Sequence, residues 1–306
     1  MSFTITQAMI EQYRANVRML AEQEQGLLRP ICEVVPVTGK SFYGDRLAGS
    51  EAVTRTSRHG DSPFTPVTHS RRKGTIIDKE WGDFIDDQDT SKVIAEFKGK
   101  YVTKAVAAHN RAEDDLIIAA LGGPAYGGEA GGTTINNYDA GECRVVQGDG
   151  TLATAGSDAS DTTQTALTIA KIGLCGELLD EGEFRDMPRY FISNPYNKWQ
   201  LLQVTEVKSS DYNTVKALAN GAVDTFMGFK FIWTNRLLTH ATDTGCIRSY
   251  ACVGGAIALG IGQDVQSNIW QRSDKSGAWY CYASSSKGAT RQEGPAVVEI
   301  LLKKSA

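Results

Sequence analysis

Gly39-Lys40-Ser41 carries the ending of a phosphate-binding loop, in which a lysine meets the phosphates and a hydroxyl holds magnesium. That loop needs a further glycine five residues before the first, and Val34 stands there. It must also open a helix, which Phe42-Tyr43-Gly44 does not. The tripeptide therefore reads as a turn at the base of a hairpin. Gly260-Ile261-Gly262 begins like a dinucleotide fingerprint, but Val265 takes the place of its third glycine. His109 and Glu113, one helical turn apart, could share a metal ion, yet no third ligand lies at suitable spacing. Asp114 and Asp115 read as acids solvating the exposed side of the same helix. The pairs Asp86-Asp87 and Asp180-Glu181 offer carboxylates for acid–base work, but they fall near element ends, where solvated acids are common. No Gly-x-Ser-x-Gly elbow and no His-Glu-x-x-His pair occur. The sequence thus predicts no catalytic residue, no cofactor and no metal.

One charge pattern is informative. Residues 40–73 hold Lys40, Arg46, Arg55, Arg58, Arg71, Arg72 and Lys73 against three acids, a net of +4. Residues 78–96 hold Asp78, Glu80, Asp83, Asp86, Asp87, Asp89 and Glu96 against two lysines, a net of −5. Two solvated faces would give this pattern. So would a basic flap lying on an acidic patch of a neighbouring copy, with Arg55, Arg58, Arg71, Arg72 and Lys73 meeting Asp83, Asp86 and Asp87. DNA contact by the flap is a third reading, weakened by the few aromatics near those basic residues.

The elements that must position these groups belong to a chain of ordinary globular composition. It has 306 residues, 41% of them hydrophobic, and a formal net charge of −4. A free nucleic-acid binder would usually be basic. No stretch nears the ~18 apolar residues of a membrane span, and no secretory signal is visible. The six cysteines form no Cys-x-x-Cys pair and read as free thiols in a reducing compartment.

Residues 6–24 read as a helix with Met9, Ile10, Tyr13, Val17 and Leu20 on one stripe. Residues 40–77 read as a long hairpin with no strongly apolar face, which should lie on something other than its own core. A helix over 91–121 has Tyr101, Ala105, Ala108, Ala112, Leu116 and Ala119 stepping by three and four. At 1.5 Å per residue it would be ~45 Å long. A Gly-rich stretch follows at 122–163, with a strand at 143–146. Helices at 162–181, 196–206 and 211–220 alternate with strands Tyr190–Ser193 and Phe229–Trp233. The tail reads as a small-residue helix from Gly254 to Gly260, two strands around Asp274-Lys275-Ser276-Gly277, and a last strand Val297–Leu302. The class is α+β.

This order of features resembles the major capsid protein of tailed bacteriophages, the Hong Kong 97 type. The tail carries most of the resemblance, through Asp274, Lys275, Gly277, Gly288, Ala289, Arg291 and Val297 to Leu302. The hairpin and the Glu96–Leu121 helix resemble that family too. The resemblance implies an N-terminal arm at 1–39, an extended hairpin loop at 40–77 and a peripheral domain at 78–160 built on the spine helix 91–121. It implies an axial domain at 161–250 and returning strands of the peripheral domain at 251–306. It further implies a structural, non-enzymatic subunit of the virion. Such subunits assemble in the host cytoplasm into pentamers and hexamers around packaged double-stranded DNA, which they contact non-specifically. A portal would be a partner, and separate scaffolding or decoration proteins are admitted, with no membrane involved. No long charged helical segment precedes the arm, so a fused scaffolding region is not expected. The rivals are a nanocompartment shell of the same fold and a cytosolic enzyme with an unrecognised site.

Overall fold

The computed structural model describes residues 23–58, 60–62, 64–86, 97–139, 141–154, 157–158, 163–203 and 225–305. The proposed helix at 6–24, the first residues of the one at 91–121 and the one at 211–220 lie largely outside them. Three sheets and one long helix carry the architecture.

The first sheet has the order β1-β12-β13-β4. Its long ribbon pairs β12 (Ile257–Gln271) with β13 (Trp279–Arg291) around the expected turn. Ser276 and Gly277 take φ of 52° and 76° there, which a glycine adopts freely. β4 (Ile77–Ile85) flanks β13, and β1 (Glu33–Pro36) runs parallel to the start of β12. The segment Gly254 to Gly260 is therefore not a helix. Gly255, at φ 85°, turns the chain, and Ile257, Ala258 and Leu259 enter a strand paired on both sides. Small residues suit that place because neighbours press on both faces. Phe42, for example, lies where a side chain at Gly260 would stand.

The helix α1 (Phe97–Gly122) lies against this sheet. Its buried face differs from the apolar stripe in the sequence. Ala105, His109, Glu113, Ile117 and Leu121 are buried, whereas Ala108, Ala112 and Leu116 are half-buried and Ala119 is exposed. The reason is that β13 presents polar partners at matching positions. The His109 Nδ1 lies 2.8 Å from the Ser285 hydroxyl, and Lys287 Nζ donates to Glu113. The two residues weighed as metal ligands thus bond to β13. Asp114 is also buried rather than solvated, and its carboxylate accepts from the Leu27 and Leu28 amides at 3.1 and 3.0 Å. Among the described residues no group of three His, Cys, Asp or Glu is placed to hold a metal ion.

The second sheet has the order β7-β14-β11-β8-β10-β9. Its strands are β7 (Arg144–Val146), β8 (Arg189–Ser193), β9 (Thr225–Phe226), β10 (Phe229–Trp233), β11 (Cys246–Val253) and β14 (Val297–Lys303). It holds most of the hydrophobic core, with Phe191, Ile192, Tyr250, Val298 and Ile300 inaccessible to solvent. The helix α2 (Ile169–Glu181) covers it with Ile172, Cys175 and Leu179. α2 starts later than the expected 162, because the Thr168 side chain caps it at the Lys171 amide and Thr165 is drawn out to accept from Lys303 at 2.9 Å. A shorter helix, α3 (Pro195–Gln203), follows β8. The strands of 251–306 join two sheets: β12 and β13 the first, and β14 the second. All six cysteines are free. Burial pushes Cys143, Cys175 and Cys252 up to about 12.

The third sheet, β2-β3-β5-β6, is small. β2 (Ser41–Leu47) and β3 (His69–Thr75) form the base of the 40–77 hairpin, and β5 (Ala125–Gly127) and β6 (Thr133–Ile135) continue it. This base corrects the expectation that the hairpin avoids its own core. Phe42 is buried with Val37 and Ala258, and a Cβ on Gly288 of β13 would stand 2.1 Å from the Thr75 carbonyl oxygen. The paired arms are seven residues each, so only the base of the 40–77 hairpin is laddered.

Candidate assembly interface

Beyond that base the hairpin is a free loop. Every described residue from Ala48 to Ser70 is exposed, and the last backbone bond across the loop is Ala48 N–H to Thr68 O at 2.9 Å. The loop also holds apolar side chains with nothing to cover them. Val53 is 62% exposed and Phe64 89%. A loop of this kind gains by being covered by something outside its own subunit.

The charged candidates divide. Arg55 and Arg58 are exposed in the free loop, and Arg55 donates to the carbonyls of Ser57 and Arg58. Arg71 pairs across the strands with Asp45 at 2.5 Å and lies over the Tyr43 ring. That bond pulls Asp45 below the usual carboxylate range. Lys73 is half-buried beside Gly131. Arg72 is buried, with its guanidinium on the buried Glu142 of the same chain. Asp83 and Asp86 are exposed, and Asp83 accepts from the Phe84 amide at 2.8 Å. Asp87 lies outside the described residues. Of the five cations, Arg55 and Arg58 are therefore the freest to reach another copy.

Among the described residues the first sheet has a bare face. α1 covers the side of β13 that carries Cys281, Ala283, Ser285 and Lys287. The opposite side carries an in-register row of Trp270, Tyr280 and Phe84. Their rings lie 5.2 and 4.6 Å apart, and the Arg272 guanidinium sits over Phe84 and Tyr280. Phe84 and Trp270 are 46% and 41% exposed. Aromatics and arginine are the side chains that anchor protein interfaces.

A buried polar network ties the three sheets together where α1 ends. Arg248 of β11 holds Glu299 of β14 with two bonds of 2.6 Å and donates to the Gly122 carbonyl at 3.2 Å. Arg291 of β13 donates to the Leu121 and Gly123 carbonyls at 3.2 and 2.9 Å and to Asn137. Asn137 donates on to Glu299 at 3.2 Å. Glu142 accepts from Arg72, and its other oxygen lies 3.5 Å from Arg291. The last carbonyls of a helix lack partners inside it and carry its negative end, so two guanidiniums are apt caps. Burial pushes Glu299 above the usual carboxylate range, against the hold of Arg248. None of Glu142, Asn137 and Glu299 stood out in the sequence. Arg291 stood out only through the resemblance.

The charge complement of the α1–β13 contact makes it acid-sensitive. Burial, with Lys287 and Lys79 nearby, holds His109 below the ordinary histidine value. The folded chain therefore resists taking up that proton, while the unfolded chain accepts it as pH falls through about 6.5. Acidification from pH 7.5 to 5.5 should cost the wild type up to about 1.4 kcal/mol through this group alone. His109→Gln should lose less stability over the same interval in urea titrations. Equal losses in both proteins would place the acid sensitivity elsewhere.

The phage capsid protein family model matches residues 5–304. The chain belongs to the phage capsid protein family. Its fold is that of solved shells. The capsid of Ralstonia phage GP4 superposes with a TM-score of 0.72 at 9% identity, over 100% of this chain and 98% of the other. The cyanophage Pam1 capsid gives 0.72 at 12% identity over 98% of both chains. The capsid of cyanophage P-SCSP1u gives 0.70 at 15% identity, over 97% and 94%. No curated protein matches. The phage capsid subunit is thus a structural, non-enzymatic protein of the virion, with the Hong Kong 97-type fold. It associates with copies of itself in the shell.

Proposed function

We propose that this capsid subunit closes as pentamers and hexamers around packaged double-stranded DNA, and that the free loop at 48–68 makes the contact between neighbours. The observation that carries this reading is the exposure of every described residue from Ala48 to Ser70, with Val53 and Phe64 uncovered in their own subunit. In an assembly, each loop covers the next copy, so no loop is left bare. Arg55 and Arg58 meet Asp83, Asp86 and Asp87 of that neighbour, and the bare aromatic face receives the loop's apolar residues. The helix-backed first sheet serves as the peripheral domain, and the six-stranded sheet, with its helices, serves as the axial domain. Residues 1–39 act as the arm. A portal, any separate scaffolding or decoration proteins, non-specific DNA contact and assembly in the host cytoplasm complete this reading.

The test is the pair Arg55→Glu and Arg58→Glu in one chain. Both side chains are exposed, so the variant should keep its circular dichroism spectrum and melting temperature. An exposed ion pair contributes only ~0.2–1 kcal/mol, but a closed shell repeats it in every copy. We expect the yield of closed particles in electron micrographs to fall at least about tenfold, and wild-type assembly to weaken with added salt. Normal shells from the folded variant would remove the loop's charges from assembly.

A further inference from the structure

At the foot of the loop two guanidiniums lack full partners. Arg46 on β2 lies opposite Ser70 in the ladder, on the face that also carries Gly44 and Arg72. It is half-buried, yet its guanidinium bonds to no described residue. Arg72 gives one end of its guanidinium to Glu142, and its Nη1 is buried with no partner. Arg291 shares the same Glu142. The carboxylates acting on Arg46, Glu293 and Glu142, act through space without a bond to it, and Glu142 is already held by Arg72 and Arg291. Burial and the nearby charge of Arg72 both pull Arg46 below the ordinary arginine value, as a cation lacking its counter-charge should be. Arg46 and Arg72 line a groove of about 570 Å³ between the β2–β3 base and the turn at Gly128 and Glu129.

We propose that Arg46 and the free Nη1 of Arg72 form a receptor for a carboxylate carried by a second copy of this chain, supplied by Asp78 and Glu80 of its β4. The groove is far larger than one small ion, so it suits a side chain arriving on a protein segment. Glu129 lines the same groove, and so does Asp45, paired there with Arg71. The Glu129 charge opposes a run of phosphates more than it opposes one side-chain carboxylate. Asp78 and Glu80 are exposed, two apart, and share the face of the first sheet that α1 leaves bare. They stand in register with Ser286 and Ser284, beyond the aromatic row that offers apolar contact to a loop. The inference deepens the proposed assembly contact and rests on it. It adds a receptor at the loop's foot to the cations at its tip.

Arg46→Glu and Arg46→Gln should both keep the wild-type spectrum and melting temperature. We expect Arg46→Glu to lower the yield of closed particles at least about tenfold, and Arg46→Gln to lower it less. Combining Arg46→Glu with Asp78→Lys and Glu80→Lys reverses both sides of the contact and should restore most of the yield. Should Arg46→Glu fail to fold, the comparison passes to Arg46→Gln alone, which must then show a folded subunit with reduced yield. Normal yield from either folded single variant overturns the proposal, as does failure of the charge swap to restore it. Normal shells that enclose less DNA also overturn it, since the receptor would then serve phosphate. If the wild-type protein itself forms no shell while folded, it is the proposed assembly reading that fails, a result separate from all of these.

Discussion

Replacing Glu299 by alanine should destabilise the subunit by about 3–5 kcal/mol, the range seen when one partner of a buried ion pair is removed. The carboxylate is fully buried on β14, an inner strand of the six-stranded sheet, and holds Arg248 by two bonds of 2.6 Å. Without it, the Arg248 charge stays in the interior with only the Tyr138 hydroxyl and the Gly122 carbonyl for company. The Asn137 amide loses its acceptor as well, and Asn137 is what Arg291 leans on. The loss therefore spreads to the cap of α1. Against a typical stability of ~5–15 kcal/mol, much of the protein would be insoluble on expression. A double replacement, Arg248→Met with Glu299→Leu, removes both charges and should be milder than Glu299→Ala alone. Urea titration of the three proteins checks this. A single variant within about 1 kcal/mol of wild type would show that the network is not holding the sheets together.

Arg72→Glu should unfold the subunit, whereas Arg71→Glu and Lys73→Glu should leave it folded. The three are neighbours in sequence and alike in charge, but they alternate across a pleat. Arg72 points inward to Glu142, and a glutamate there sets two buried carboxylates against each other, with only Arg291 and the half-buried Arg46 as nearby cations. We expect a loss of at least about 3 kcal/mol. Arg71 and Lys73 stand on the outer face, on or near the surface, and surface substitutions usually move stability by about 0.5 kcal/mol or less. Reversing all three together should therefore give misfolded chain rather than a folded subunit that cannot assemble. Thermal melts of the three single variants decide it. A folded Arg72→Glu would mean that the hairpin base is not anchored through Glu142.

The order of elements was legible because each announces itself locally. Tyr190 to Ser193, Phe229 to Trp233 and Val297 to Leu302 are short apolar runs bounded by turns, and Ser276-Gly277 marks the ribbon's reversal. All lie where the sequence places them. The buried face of the long helix was not legible, because burial there depends on Ser285 and Lys287, more than 170 residues away in the chain. An apolar count sees alanines and passes over His109 and Glu113. The same blindness hid the network, whose pairs span 51 to 170 residues and leave no periodic trace. Gly254 to Gly260 misled for a different reason. Its alanines and leucine favour a helix in isolation, but there the small residues give room to flanking strands and to Phe42. Of the candidate contact residues, the loop cations were read as a group by charge alone. Pleat alternation separates them: it sends Arg46 and Arg72 to one face of the β2–β3 base and Arg71 and Lys73 to the other.

β14 lies between β7 and β11, so an inner place in the six-stranded sheet is filled by residues the ribosome delivers after every other described strand. Until Val297 to Lys303 emerge, β11 shows one unpaired edge and β7 has no neighbour in the sheet. Glu299 arrives on the same strand, so Arg248 waits for its counter-charge until then too. Translation thus acts as an inspector. A chain that stops short of β14 cannot close its core and stays a substrate for chaperones and proteases, and only a copy read through to that strand is fit to be laid into a lattice where one faulty unit would mar all its neighbours.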